Sequence, residues 1–173
     1  MNNFFAYLQQ VELMTFFSGY TLLYAIIILV AGNKKPRNNF KSRIISVLPL
    51  SYALVSSLYL GLFLKNLYLS YSAGNVNIDI HHPFLVTWGI LAILFWIPLF
   101  RKNELLSLMH SLVFFFILVK DLFIQIGSEV DPNILQNDMK IFTASFLLNL
   151  ATFILMGIFY FTLLRNKKLF RYS

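Results

Sequence analysis

The chain is predicted to fold as an all-α, polytopic integral membrane protein. It has five transmembrane helices, the N-terminus outside and the C-terminus in the cytoplasm. Two observations predict this. Five apolar stretches near membrane-spanning length follow one another along 173 residues, of which 58% are apolar and only 12% charged. Soluble domains carry about 25% charged residues and rarely cluster their apolar residues in this way. The second observation is that the loops between the stretches alternate in the sign of their charge. No segment outside the stretches is long enough to build a second core, so residues 1–173 form one transmembrane domain.

The first predicted span covers residues 14–31. Ahead of it, residues 3–13 mix Phe4, Phe5, Tyr7, Leu8 and Val11 with Gln9, Gln10 and Glu12. Such a segment suits either an amphipathic turn or two at the outer interface or a polar terminus with interfacial aromatics. It lacks the positive start and the cleavage site of a signal peptide.

The second span, residues 44–64, follows a linker carrying Lys34, Lys35, Arg37, Lys41 and Arg43. Within it Pro49, Ala53, Ser57 and Gly61 recur every four residues. Small residues on one helix face let another backbone approach closely, so Ala53, Ser57 and Gly61 are the expected helix-packing groove. Pro49 is expected to kink the helix. The outer loop that follows contains Asp79, His81 and His82. Asp79 and His81 alternate and would share a face in extended backbone, which makes the three residues weak candidates for metal ligands. The competing expectation is a solvated loop with Pro83 in the first turn of the next helix.

The third span is residues 84–100, and Arg101 and Lys102 mark its inner end. The fourth is residues 105–126. Stopping it at Lys120–Asp121 would leave about 22 Å of helix against a hydrocarbon core of about 30 Å, so it is extended and Asp121 is drawn inside. Ser107, Ser111, Phe114, Leu118, Asp121 and Gln125 then share a stripe about 80° wide, with His110 at its edge. A face that is polar at both ends and apolar in the middle suits a proton- or ion-conducting path with a constriction at Phe114 and Leu118. It equally suits a helix–helix seam whose polar residues hold its ends.

The fifth span is residues 141–164, and its Asn149 is the expected partner of Asp121. The tail beyond it holds Arg165, Lys167, Lys168 and Arg171, so eleven of the fourteen basic residues fall on one side. Acids dominate the other side, and the positive-inside rule fixes the predicted orientation.

Several chemistries are excluded. The chain has no cysteine, which removes disulfides, thiolate metal sites and Cys nucleophiles. A b-type haem needs two histidines at one depth, and His110 stands far from His81 and His82. No zinc-protease, hydrolase-elbow, Walker or dinucleotide motif is present. The net charge of +7 is explained by topology signals and by anionic headgroups, so nucleic acid is not an expected partner. No cofactor is expected, and an enzyme is not the expected class. The expected function is a small integral subunit or scaffold of a larger membrane assembly, the alternative an oligomeric pore working through the fourth helix. Its expected partners are membrane lipids and either another membrane protein or copies of itself. The heavy use of Phe, Ile, Leu, Asn and Lys suggests a low-GC genome and hence a bacterial plasma membrane.

Overall fold

The computed structural model describes residues 2–31, 39–72, 82–127 and 132–169, with side chains described at 10–30, 43–69, 71–72, 82–124 and 139–163. The described residues are almost all helical, and no strand is found among them. α1 spans Asn2–Phe17 and α2 Tyr20–Ala31, α3 spans Asn39–Ser72, and α4 spans Pro83–Leu91. A 3₁₀ turn at Ala92–Trp96 leads to α5, Pro98–Arg101. α6 spans Glu104–Gly127 and α7 Pro132–Leu169. Four helical segments are long and apolar enough to cross a membrane, namely Gln10–Val30, Arg43–Leu69, Glu104–Ile124 and Met139–Leu163. In hydrocarbon a helix is the only open-ended form that satisfies its own backbone, which is why these runs are helical whatever their intrinsic propensities.

The first segment begins earlier than its apolar run. Helix is continuous from Asn2, so Gln10 and Glu12 lie within the segment rather than in an interfacial turn. It is broken instead at Ser18–Gly19, between α1 and α2. There the Gly19 N–H leaves the helical ladder and donates to Ser145 Oγ on α7 at 2.8 Å. A Cβ on Gly19 would lie 2.6 Å from the Phe146 Cα, so only glycine lets α7 cross at this point.

The third predicted span is the main departure from expectation. It forms α4, a 3₁₀ turn and α5 in place of one helix, and its continuous helical part, Pro83–Trp96, is shorter than the other four segments. Pro98 is the physical reason. The residue before a proline is driven from the helical region, and Ile97 sits at φ −74° and ψ 130°. The tightening to 3₁₀ begins at Ala92, whose N–H is shared between the carbonyls of Gly89 and Ile90. The Ser56 hydroxyl of α3 donates to the same Gly89 carbonyl at 2.8 Å, and Ser57 accepts the Trp96 indole N–H at 3.0 Å. α3 therefore grips this segment at both of its irregular points.

Contacts between segments set their relative directions. Gln10 meets Asp121 and Tyr20 meets Ser107, so the first segment and α6 run antiparallel. Glu12 meets Asn66 while the Tyr20 ring lies against Tyr52, so the first segment and α3 are antiparallel as well. Val47 and Leu50 pack on Met156, which sets α3 against α7.

The core is a column of rings. Phe17 contacts Phe16, Tyr52, Tyr59 and Phe114, the last stacked at 4.7 Å and 20°. Tyr20 and Tyr52 lie at 4.3 Å, and both are fully buried. Between helices in lipid the hydrophobic effect gives little, because acyl chains are as apolar as leucine. Close packing, ring–ring contacts of about 0.5–1.5 kcal/mol each, and interhelical hydrogen bonds hold the bundle instead.

Candidate functional site

Of the polar residues predicted on α6, Ser107, Ser111 and Asp121 meet the first segment. Ser107, Ser111 and Phe114 are fully buried, Leu118 nearly so, and Asp121 partly. The 3.6-residue repeat brings them to one face, while Leu105, Met109, Phe116 and Lys120 on other faces are exposed. Ser107 donates to its own helix at the Glu104 carbonyl, 2.7 Å, so the contact of 2.8 Å with Tyr20 has the tyrosine hydroxyl as donor. Ser111 likewise donates to the Leu108 carbonyl, and Thr21 Oγ1 stands 3.0 Å from its oxygen. At the other end Gln10 Nε2 donates to Asp121 Oδ2 at 2.9 Å. Between these ends the Phe17–Phe114 stack fills the middle of the seam.

His110 sits beside the seam in an aromatic cage. Trp88 stacks on it at 4.6 Å and 5°, and the Trp88 indole N–H donates to the His110 carbonyl at 3.1 Å. Tyr52 and Phe95 meet the imidazole edge-on. Tyr52 Oη lies 2.9 Å from Nδ1, and Nε2 is buried without a hydrogen-bond partner among the described residues. Either neutral tautomer therefore satisfies one ring nitrogen only. The cage draws Tyr52 from α3, Trp88 and Phe95 from the broken third segment, and His110 from α6, so one imidazole ties three elements together.

Asn149 does not serve Asp121 as expected. Its amide donates to the Phe16 carbonyl at 2.9 Å and to the Ser145 carbonyl at 2.8 Å, and its Oδ1 is buried without a described partner. It sits beside the Ser18–Gly19 break, where the first segment's carbonyls lose ladder donors. Together with Ser145 it replaces that lost ladder bonding, which explains fully buried polar side chains on a lipid-spanning helix.

The expected groove on α3 is only partly a packing face. Ala53 is buried, and Ser57 is half-buried and bonded to Trp96. Gly61 is exposed, and a Cβ there would meet nothing within 4 Å, so no backbone approaches it. The close approaches occur at Gly19 against α7 and at Gly89, where a Cβ would lie 2.8 Å from the Phe17 ring. Among the candidate metal ligands, Asp79 and His81 lie outside the described residues, as does the Gln125 side chain. His82 is the residue before α4 and makes no side-chain cap bond. No cluster of three or more His, Cys, Asp or Glu able to hold a metal is found among the described residues.

Sequence reasoning missed Gln10, Tyr52, Trp88 and Gly19. Gln10 precedes the apolar run that marked the first span, and the two aromatics are indistinguishable in sequence from other core rings. Gly19 next to Ser18 inside a span was the one visible signal. Compared with known proteins, the chain matches no family model, no curated protein and no solved structure.

Proposed function

We propose that this chain is a small integral membrane subunit or scaffold of a larger membrane protein assembly, housed in a bacterial plasma membrane. In this reading the chain crosses five times. The broken segment from Pro83 to Arg101 serves as the third pass, the N-terminus lies outside, and the basic loops and tail lie in the cytoplasm. The antiparallel run of the first segment against α6 fits an odd number of crossings between their starts, and the distribution of eleven of the fourteen basic residues favours that orientation.

One observation carries the functional choice. The described polar side chains of the α6 stripe, Ser107, Ser111 and Asp121, are engaged in bonds to the first segment, at Tyr20–Ser107, Thr21–Ser111 and Gln10–Asp121, with Phe17 stacked on Phe114 between them. A conducting path needs polar groups that face water or an ion, and a seam needs polar groups that face each other. The alternative is an oligomeric pore, in which the buried His110 Nε2 would take a proton or a water. The test is purification in mild detergent with native mass measurement and partner identification. A stoichiometric, unrelated membrane protein supports the scaffold. A partnerless homo-oligomer that conducts in liposomes overturns it in favour of the pore.

A further inference from the structure

His110 is the only histidine within the four long apolar segments, and its imidazole stands where three elements meet. The Trp88 ring lies parallel to it, within 5° and at 4.6 Å, while Tyr52 and Phe95 meet it at steep angles. Phe114, one turn further along α6, is tilted against it at 6.4 Å. The described polar contact of the ring is Tyr52 Oη, 2.9 Å from Nδ1, and Nε2 is buried without a described partner. The two neighbours of the third segment hold it differently. α3 grips it through hydroxyls, with Ser56 donating to the Gly89 carbonyl at 2.8 Å and Ser57 accepting from the Trp96 indole at 3.0 Å. α6 reaches it through His110, whose carbonyl accepts from the Trp88 indole at 3.1 Å and whose ring stacks on Trp88.

A proton on the imidazole changes only the second grip. It makes both ring nitrogens donors. Tyr52 Oη can accept from Nδ1, and Nε2–H is left among aromatic neighbours. Aromatic faces attract a cation but are weak acceptors, and an in-plane N–H runs parallel to the Trp88 ring. No described acid faces the imidazole to pair the charge. The titratable groups on its side are Tyr52 of α3 and, against Tyr52 at 4.3 Å, Tyr20 of the first segment. The third segment presents Trp88 and Phe95, and α6 itself presents Phe114. Glu104, the nearest acid along α6, stands six residues away, about 9 Å along the axis. An unpaired charge enclosed by apolar groups is costly until water reaches it. Nε2 is buried, so water reaches it only when its aromatic neighbours part.

We propose that His110 is an acid-operated latch, in which a proton on the imidazole parts α6 from the third segment while α3 keeps its hold on it. Trp88 and Phe95 then stay with α3 through the Ser56 and Ser57 bonds. α6 keeps its hydroxyl contacts with the first segment at Tyr20–Ser107 and Thr21–Ser111. The latch rests on the geometry of the cage and not on the scaffold reading.

The test uses the full chain in detergent carrying Trp96→Phe, which leaves Trp88 as its one tryptophan. Trp88 emission and its quenching by acrylamide are followed from about pH 8 to about pH 4, a range that brackets the ordinary histidine value of about 6.5. The expected result is a reversible one-proton transition in which Trp88 emission shifts to longer wavelength and acrylamide quenching rises. His110→Phe keeps a ring against Trp88 and has no proton to gain, so its profile should be flat. His110→Gln takes its place if that variant does not fold. His82→Gln should retain the transition. Unchanged Trp88 emission and quenching throughout the titration overturns the proposal. So does the same transition in the His110 variant, or its loss in His82→Gln. A change in intensity without added acrylamide quenching also overturns it, because the proton is then held in a closed cage. None of these outcomes bears on whether an unrelated partner co-purifies.

Discussion

Asp121 accepts a hydrogen bond from Gln10 across 2.9 Å, joining α6 to the first segment two residues before Glu12, which contacts Asn66 of α3. The acid lies within a candidate span, where an ionisable group is expensive and normally faces protein. Asp121→Asn keeps an oxygen that accepts from Gln10, so we expect little change in thermal midpoint and no change in proton flux into liposomes. Asp121→Leu removes the acceptor and leaves the Gln10 amide orphaned, at about 1–3 kcal/mol. Loss of an existing flux in Asp121→Asn with stability intact would move the residue from packing to conduction.

The glycines supply a controlled comparison. Gly19→Ala places a methyl 2.6 Å from the Phe146 Cα, and the break between α1 and α2 must open against α7. Overpacking of this kind costs about 1–3 kcal/mol. Gly61→Ala and Gly157→Ala enter open space on continuous helix and should be neutral or stabilising by up to about 1 kcal/mol. Unfolding in detergent should therefore rank Gly19→Ala well below the other two. Equal midpoints for all three would show that the α1–α7 crossing has room to spare.

Tyr52 and His110 should be energetically coupled. Tyr52→Phe leaves the imidazole with neither nitrogen bonded among its described neighbours, and His110→Phe leaves the buried Tyr52 hydroxyl without its partner. Each single change should cost about 1–3 kcal/mol. The double variant removes both polar groups and keeps an aromatic ring against Trp88, so it should cost less than the two singles together. A double-mutant cycle on unfolding free energies measures the difference. Strict additivity would mean that the 2.9 Å contact contributes nothing.

Legibility in the sequence follows from what each feature depends on. Lipid demands length and apolarity, both local properties, so four of the predicted spans coincide with long apolar helices. The inward face of α6 was legible for the same reason, because a 3.6-residue repeat is written in the spacing of Ser107, Ser111, Phe114 and Leu118. The partner of Asp121 was not, since nothing near residue 121 says that Gln10 comes alongside. Glycine shows the limit most clearly. Gly61 stood in a regular small-residue stripe and packs against nothing, while the unpatterned Gly19 carries the tightest crossing. The broken third segment was readable in principle, because Pro98 constrains Ile97 locally, but composition alone averages over that constraint.

The five-pass reading makes a prediction that the chain's own composition renders clean to test. There is no native cysteine, so single cysteines report by thiol labelling from one side only. Asn103, exposed between α5 and α6, lies just beyond the broken segment, and Ala73 follows α3. The path from Pro83 to Arg101 holds nine α-helical residues, five 3₁₀ residues, one extended residue and four more helical ones. At about 1.5, 2.0 and 3.3 Å per residue this reaches about 33 Å if the pieces lie end to end, enough for a core of about 30 Å. A membrane-impermeant thiol reagent applied to intact cells should therefore label Ala73→Cys and spare Asn103→Cys, which reacts only after the membrane is opened. Asn3→Cys should behave like the first and Ser173→Cys like the second. If Asn103→Cys reacts from outside as readily as Ala73→Cys, the segment re-enters on the side it left, the chain crosses four times, and the two terminal cysteines must then label from the same side.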